Sequence, residues 1–110
     1  MALPAPIIVP QIQLSDLDLY AAQGVLTVIS CRPDDEDPDQ LTFHDVAEAA
    51  AQLGMAAFHI PVVPGELDQE AVHRFADVLC SARGDTLAFC RSGKRASILL
   101  QHANAGSVAE

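Results

Sequence analysis

The amino-acid sequence predicts an α/β domain built on a four- to five-stranded, mostly parallel sheet with helices on both faces. Three observations carry that expectation. Short apolar, β-branched runs alternate with amphipathic segments in the order β-α-β-α-β-α-β-α, the pattern of parallel strands joined by crossover helices. The amphipathic segments are punctuated by polar caps in front and glycines behind. The chain has 110 residues, of which half are hydrophobic, enough for one domain with its own core and too few for two. That domain is expected to span residues 1–110, with flexible ends at about 1–6 and 105–110.

Taken in order, Ile7-Ile8-Val9 between prolines reads as a short strand at an edge. Ser15 is the expected cap of a helix running to about Gln23, with Leu17 and Tyr20 on one face and Gly24 ending it. Val25 to Ile29 is continuously apolar, as in a strand covered on both faces. Arg32 to Gln40 is an acidic, proline-containing loop. Thr42 caps the next helix, Phe43 to Leu53, and Gly54 closes it. Ala56 to Ile60 is a strand cut off by Pro61, and Pro64-Gly65 marks a loop. Asp68 caps a third helix whose inward stripe is Val72, Phe75, Ala76 and Leu79, with Leu67 and Val72 spaced as a hydrophobic staple. Gly84-Asp85 is a turn, Thr86 to Phe89 the last strand, and Lys94 to about Ala103 the last helix, with Ile98 and Leu99 inward.

Charge narrows the function classes. The net charge is −9, so a general affinity for nucleic acid or anionic lipid is not expected. Only six residues are basic, and Arg91, Lys94 and Arg95 place three of them within five positions. Such a cluster suits a small anion; a solvated helix start accounts for it equally well on charge alone. Three cysteines without a recognisable leader argue against a secreted disulfide framework. The expectation is a cytoplasmic protein without a membrane span or a disulfide framework. His44, His59, His73 and His102 have no metal-ligand spacing, so neither metal nor cofactor is expected. Asp34 to Asp39 is read as a solvated loop rather than a cation site, and Arg32 as either a strut for that loop or a surface ion-pair partner.

The chemistry is concentrated in Cys90-Arg91-Ser92-Gly93-Lys94-Arg95, between the last strand and the last helix. Sites in parallel α/β sheets lie beyond the carboxyl ends of strands. A tight loop there aims backbone amides at one point, and the following helix adds the positive end of its dipole. Gly93 permits a backbone conformation other residues resist. Such surroundings lower a thiol pKa from about 8.5 to roughly 3.5–7.5, making Cys90 a candidate nucleophile. Arg95 carries a planar fork matched to two oxygens of an oxyanion. Cys31, at the end of the second strand, is either a redox partner facing the same crevice or a small buried residue; Cys80 reads as a packing or half-exposed thiol.

Cys-x-x-Gly-x-x-Arg is the loop of protein tyrosine and dual-specificity phosphatases, with five residues between Cys and Arg. Cys90 and Arg95 have four between them, which resembles the loop of rhodanese-type sulfurtransferases. Both features meet in the small bacterial domain called beta-lactamase hydrolase-like, phosphatase-like, also described as a candidate sulfur transferase. Gln23-Gly24-Val25 into Val28-Ile29, Arg32-Pro33-Asp34, His59-Ile60-Pro61-Val62 and Phe89 to Arg95 look like its blocks in the same order. The resemblance implies a reduced tyrosine-phosphatase fold, with Cys90 as nucleophile, Arg95 as oxyanion binder and a small phosphorylated or oxyanion substrate. Three departures stand out: Phe89 replaces the usual His before the Cys, Ala96 stands where Ser or Thr usually follows the Arg, and no Asp follows Ile60-Pro61-Val62. Glu66, Asp34, Asp35 and Asp37 are the candidate general acids, while Asp68 is engaged as a helix cap. Phosphoryl transfer, sulfur transfer through a Cys90 persulfide and oxyanion binding without turnover therefore all remain open, with the first preferred.

Overall fold

The computed structural model describes the backbone of residues 3–108 and the side chains of residues 3–105. Along the chain run β1 (Ile7–Val9), α1 (Leu14–Ala22), β2 (Val25–Ser30), α2 (Phe43–Gln52), β3 (Ala56–His59), α3 (Gln69–Ser81), β4 (Asp85–Phe89) and α4 (Lys94–Val108). The four strands form one sheet in the order β1-β4-β2-β3, and every pair is parallel. This order puts β4 and β2 in the interior, so their carboxyl ends lie side by side in the middle of one sheet edge. That juxtaposition positions the site.

Period-two alternation divides the core between the two faces. Val28 of β2 with Leu87 and Phe89 of β4 packs against Leu17 of α1 and Val46 and Ala50 of α2. Ile29 and Cys31 with Ala88 and Cys90 face the other way, against Phe75 and Leu79 of α3 and Leu99 of α4. One interruption is informative. Val25 pairs with Asp85 but Thr27 already pairs with Thr86, so β2 carries an extra residue there. The bulge lets Val25 share a face with Val28, three positions on, and leaves Leu26 exposed. The expected two-sided burial of β2 fails at Leu26 for that reason.

Two of the three expected helix caps are as read. Thr42 Oγ1 accepts the Asp45 amide at 3.1 Å while Asp45 returns a carboxylate to the Thr42 amide at 3.2 Å. Asp68 Oδ1 accepts the Ala71 amide at 2.7 Å, and Leu67 packs against the cluster that contains Val72, as a staple requires. The first start differs. Gln13, not Ser15, is the cap, because Asp16 reaches back to accept the Gln13 amide at 2.9 Å and opens the helix at Leu14. A carboxylate, rather than the nearest hydroxyl, sets the first helix turn.

Strand β4 begins at Asp85, one residue inside the expected turn, and α4 continues past Ala103 to Val108. Asn104 Oδ1 on that extension accepts the Leu3 amide at 2.9 Å, tying the two ends of the chain together. Of the segments expected to be flexible, residues 1–2 and 109–110 lie outside the described residues. No described helix is long and apolar enough to cross a membrane.

Candidate active site

Cys90 follows β4 directly, in the centre of the sheet edge. Pairing continues one step beyond β2, where the Cys31 amide donates to Phe89 O, at the end of β4, at 2.8 Å. The chain then turns sharply, and the Gly93 amide donates to Cys90 Sγ at 3.1 Å. Gly93 has φ +91°, and an added Cβ would meet only ordinary contacts at 3.5 Å, so backbone conformation rather than space requires glycine. Ser97 secures this turn from α4: its amide and its hydroxyl both donate to Gly93 O at 3.0 Å. With its carbonyl held by the helix, the Gly93 amide is left aimed at the sulfur. From β1's side the Gln11 amide donates to Arg91 O at 3.2 Å, and within the loop Lys94 N donates to Ser92 Oγ at 3.3 Å. The side chains of Arg91, Ser92 and Lys94 are exposed, whereas Cys90 is fully buried.

Arg95 is held from two sides. Its Nη1 donates to Glu36 Oε2 at 2.7 Å and to Val62 O at 2.9 Å, and its Nη2 donates to Glu36 Oε1 at 3.0 Å. This bidentate pair consumes the outer edge of the guanidinium. The Nε–H and the remaining Nη2–H, parallel along the other edge, have no partner among the described residues; they form a second fork suited to an oxyanion.

Glu36 is itself anchored. Arg32 Nε donates to Glu36 Oε1 at 2.9 Å, Arg32 Nη2 to Asp37 Oδ2 at 2.6 Å, and Arg32 Nη1 to Gln11 Oε1 at 2.9 Å. Only 5 % of the Arg32 side chain is exposed, so this is no surface ion pair. Donation from Arg95, opposed by burial and reinforced by Arg32, holds the Glu36 carboxyl below its usual range, and the same bonds hold Arg95 above its own. The acidic loop expected to be solvated is thus partly an ion-paired latch across the site. Glu36 was not singled out from the sequence. The available signal was that it is the one glutamate among the aspartates of 34–39, the side chain with the extra reach.

The candidate acids fall in different places. Asp34 Oδ1 accepts the Phe43 amide at 2.8 Å, at the start of α2. Asp35 is exposed with φ +66°. Glu66 closes the turn after Val62, with its amide donating to Val63 O at 2.9 Å, and lines a cleft together with Arg95. Glu66 is the one of them that lines a cavity together with Arg95.

Cys31 and Cys90 are both free and fully buried on the same sheet face, whereas Cys80 is exposed. Burial first and the neighbouring Cys90 second push the Cys31 thiol up to about 12, with Arg95 pulling the other way. His59 stacks on Phe43 at 4.7 Å between ring centres, and its Nε2 lies 2.8 Å from Arg32 O, which gives it a structural role. Among the described residues no group of three His, Cys, Asp or Glu is placed to hold a metal.

The sequence model of the family described as beta-lactamase hydrolase-like protein, phosphatase-like domain, matches residues 3–107. The beta-lactamase hydrolase-like protein of Xylella fastidiosa (strain Temecula1) is 32% identical over 81 residues, 73% of this chain and 19% of that protein. The protein of the same name from Agrobacterium fabrum is 32% identical over 89 residues, 81% of this chain and 21% of its own. The chain therefore spans about a fifth of the length of these curated relatives. Among solved structures, a candidate phosphatase from Neisseria meningitidis Z2491 aligns with TM-score 0.75 and 33% identity, covering 82% of this chain and 64% of that one. A candidate phosphatase from Shewanella putrefaciens CN-32 aligns with TM-score 0.77 over 98% of this chain and 69% of its own; at 24% identity that likeness concerns the fold alone.

Proposed function

The chain belongs to the beta-lactamase hydrolase-like, phosphatase-like domain family, and from that premise we propose that it is a cysteine-dependent phosphatase-like hydrolase. The observation that carries the reading is the loop from Cys90 to Arg95 itself, in which the Gly93 amide donates to Cys90 Sγ at 3.1 Å and Arg95 keeps one edge of its guanidinium without a partner among the described residues. The Cys90 thiolate attacks phosphorus and the ester oxygen departs, taking a proton from an acid for which Glu66 is the candidate. Loop amides and the free fork of Arg95 hold the non-bridging oxygens as charge builds on them. Water then attacks the phosphocysteine, releasing inorganic phosphate and restoring the thiolate. The substrate is a small phosphorylated molecule, met in the cytoplasm without nucleic-acid or membrane partners.

One observation favours a second reading, sulfur transfer. The Ser97 hydroxyl is committed to Gly93 O, so it is not free to assist departure of the Cys90 thiolate from phosphocysteine. A persulfide needs no such help: Cys90 thiolate attacks the outer sulfur of thiosulfate, the S–S bond breaks, and sulfite leaves with the electron pair. The test is intact mass of the reduced protein after thiosulfate beside phosphate release from an aryl phosphate, each with Cys90→Ser as control. Cys90-dependent phosphate release without a persulfide supports the hydrolase. Gain of one sulfur without phosphate release replaces it with the transferase, and oxyanion binding with neither leaves a binding domain.

A further inference from the structure

A cleft of about 220 Å³ opens beside Arg95, between the Val62–Leu67 turn and α4. Its lining is mixed in chemistry. Arg95, Glu66 and His102 contribute polar groups, and Val62, Leu67 and Ile98 contribute apolar surface. Arg95, Ile98 and His102 recur at helical spacing along one face of α4, so His102 stands two turns, about 10 Å of helix rise, beyond Arg95. The turn that makes the opposite wall is fixed at both ends. Val62 O accepts from Arg95, the Val62 amide donates to Cys31 O at 3.1 Å, and Val63 and Glu66 pair across the turn.

We infer that this cleft is the leaving-group subsite of the Cys90–Arg95 loop and selects a compact body, one ring or a short chain, without a second negative charge. The inference rests on the oxyanion-binding reading of the loop and adds the class of molecule it takes. Size supports the first restriction: about 220 Å³ is below the roughly 300–1,000 Å³ of sites for drug-sized ligands and suits one ring or a short chain. Charge supports the second. The cleft carries the Glu66 carboxylate on a protein of net charge −9, which repels an anionic substituent and suits a neutral or cationic one. The apolar surface supports the body itself, since apolar side chains beside a charged group are covered by apolar substrate surface at little polar cost.

Phosphonates test this without requiring turnover. Affinities of methylphosphonate, benzylphosphonate, 4-(aminomethyl)benzylphosphonate and 4-carboxybenzylphosphonate are measured by calorimetry at about pH 8. Benzylphosphonate is expected to bind at least tenfold more tightly than methylphosphonate, and the aminomethyl compound about tenfold more tightly than the carboxylate. Ile98→Trp, which fills the cleft, should collapse the benzyl-to-methyl ratio. Glu66→Gln, an exposed change with no burden on folding, should collapse the aminomethyl-to-carboxy ratio. Equal affinities for all four ligands in the wild-type protein would overturn the subsite while leaving the oxyanion loop in place. Failure of every phosphonate to bind would overturn the loop reading and the subsite with it.

Discussion

Cys31 and Cys90 end neighbouring parallel strands, face the same side of the sheet and are equally buried, yet their surroundings are opposite. After Cys90 the chain turns at once into α4, so an amide meets the sulfur and a helix N-terminus stands behind it. After Cys31 it runs on through Arg32 into the acidic loop, and burial pushes that thiol up to about 12. The lesson is that the succeeding residues set what surrounds a strand-end sulfur: an amide reaches it only when the chain folds back over it. Similar strand ends thus acquire different neighbours.

The largest expected effect breaks that comparison outright. Cys90→Ser should reduce Cys90-dependent turnover by roughly 10³-fold or more, while Cys31→Ala retains turnover and loses only about 1 kcal/mol of stability. Rates on an aryl phosphate, with denaturation curves, check both; a Cys31 variant as dead as the Cys90 variant would erase the distinction. Next in size, Arg95→Ala should cost about 10²–10³ in kcat, the scale of losing a preorganised oxyanion donor. A smaller loss would move oxyanion binding to the loop amides alone.

Glu36→Gln sharpens the role of the loop after Cys31. It leaves Arg32 and Arg95 short of a charged acceptor, at an expected cost of about 1–3 kcal/mol in urea denaturation. The pH dependence has a definite sign. The folded-state pKa of Glu36 lies below its ordinary 4.5, so its contribution is full above that value and is lost as pH falls through the lowered pKa. The stability difference between wild type and Glu36→Gln should therefore shrink on acidification below about pH 4.5. The smallest effect is at the alkaline end. The Cys31 thiol stays protonated in the folded protein to about 12 but ionises near 9 when unfolded. Its contribution is full below about pH 9 and is lost as pH rises toward 12, so Cys31→Ala should flatten that part of the curve, read by thermal denaturation.

Much of this was legible in the residues. The alternation of apolar runs and amphipathic stripes foretold parallel strands and two-sided cover, and the loop after Thr86–Phe89 was found from its residue types alone. Local chemistry was enough where the deciding partners are close in sequence, as at Thr42 with Asp45, Asp68 with Ala71 and Gly93 with Cys90. Gln13 was missed although its partner Asp16 is also close, because a hydroxyl nearby offered a competing cap. Strand order was not written locally. That β4 lies between β1 and β2 depends on how helices pack over both faces, and it alone brings residue 31 beside residue 90.

The sequence by itself determined the elements, the glycine that lets the loop turn and the residue types available for chemistry. Only the tertiary structure decided which position of the acidic loop reaches the arginine. Glu36 and Arg95 stand 59 residues apart and meet because strand order brings the β2 loop against the start of α4. The physical reason is one of range: caps and turns are settled by neighbours within a few residues, whereas an ion pair between distant segments exists only after the backbone has been packed.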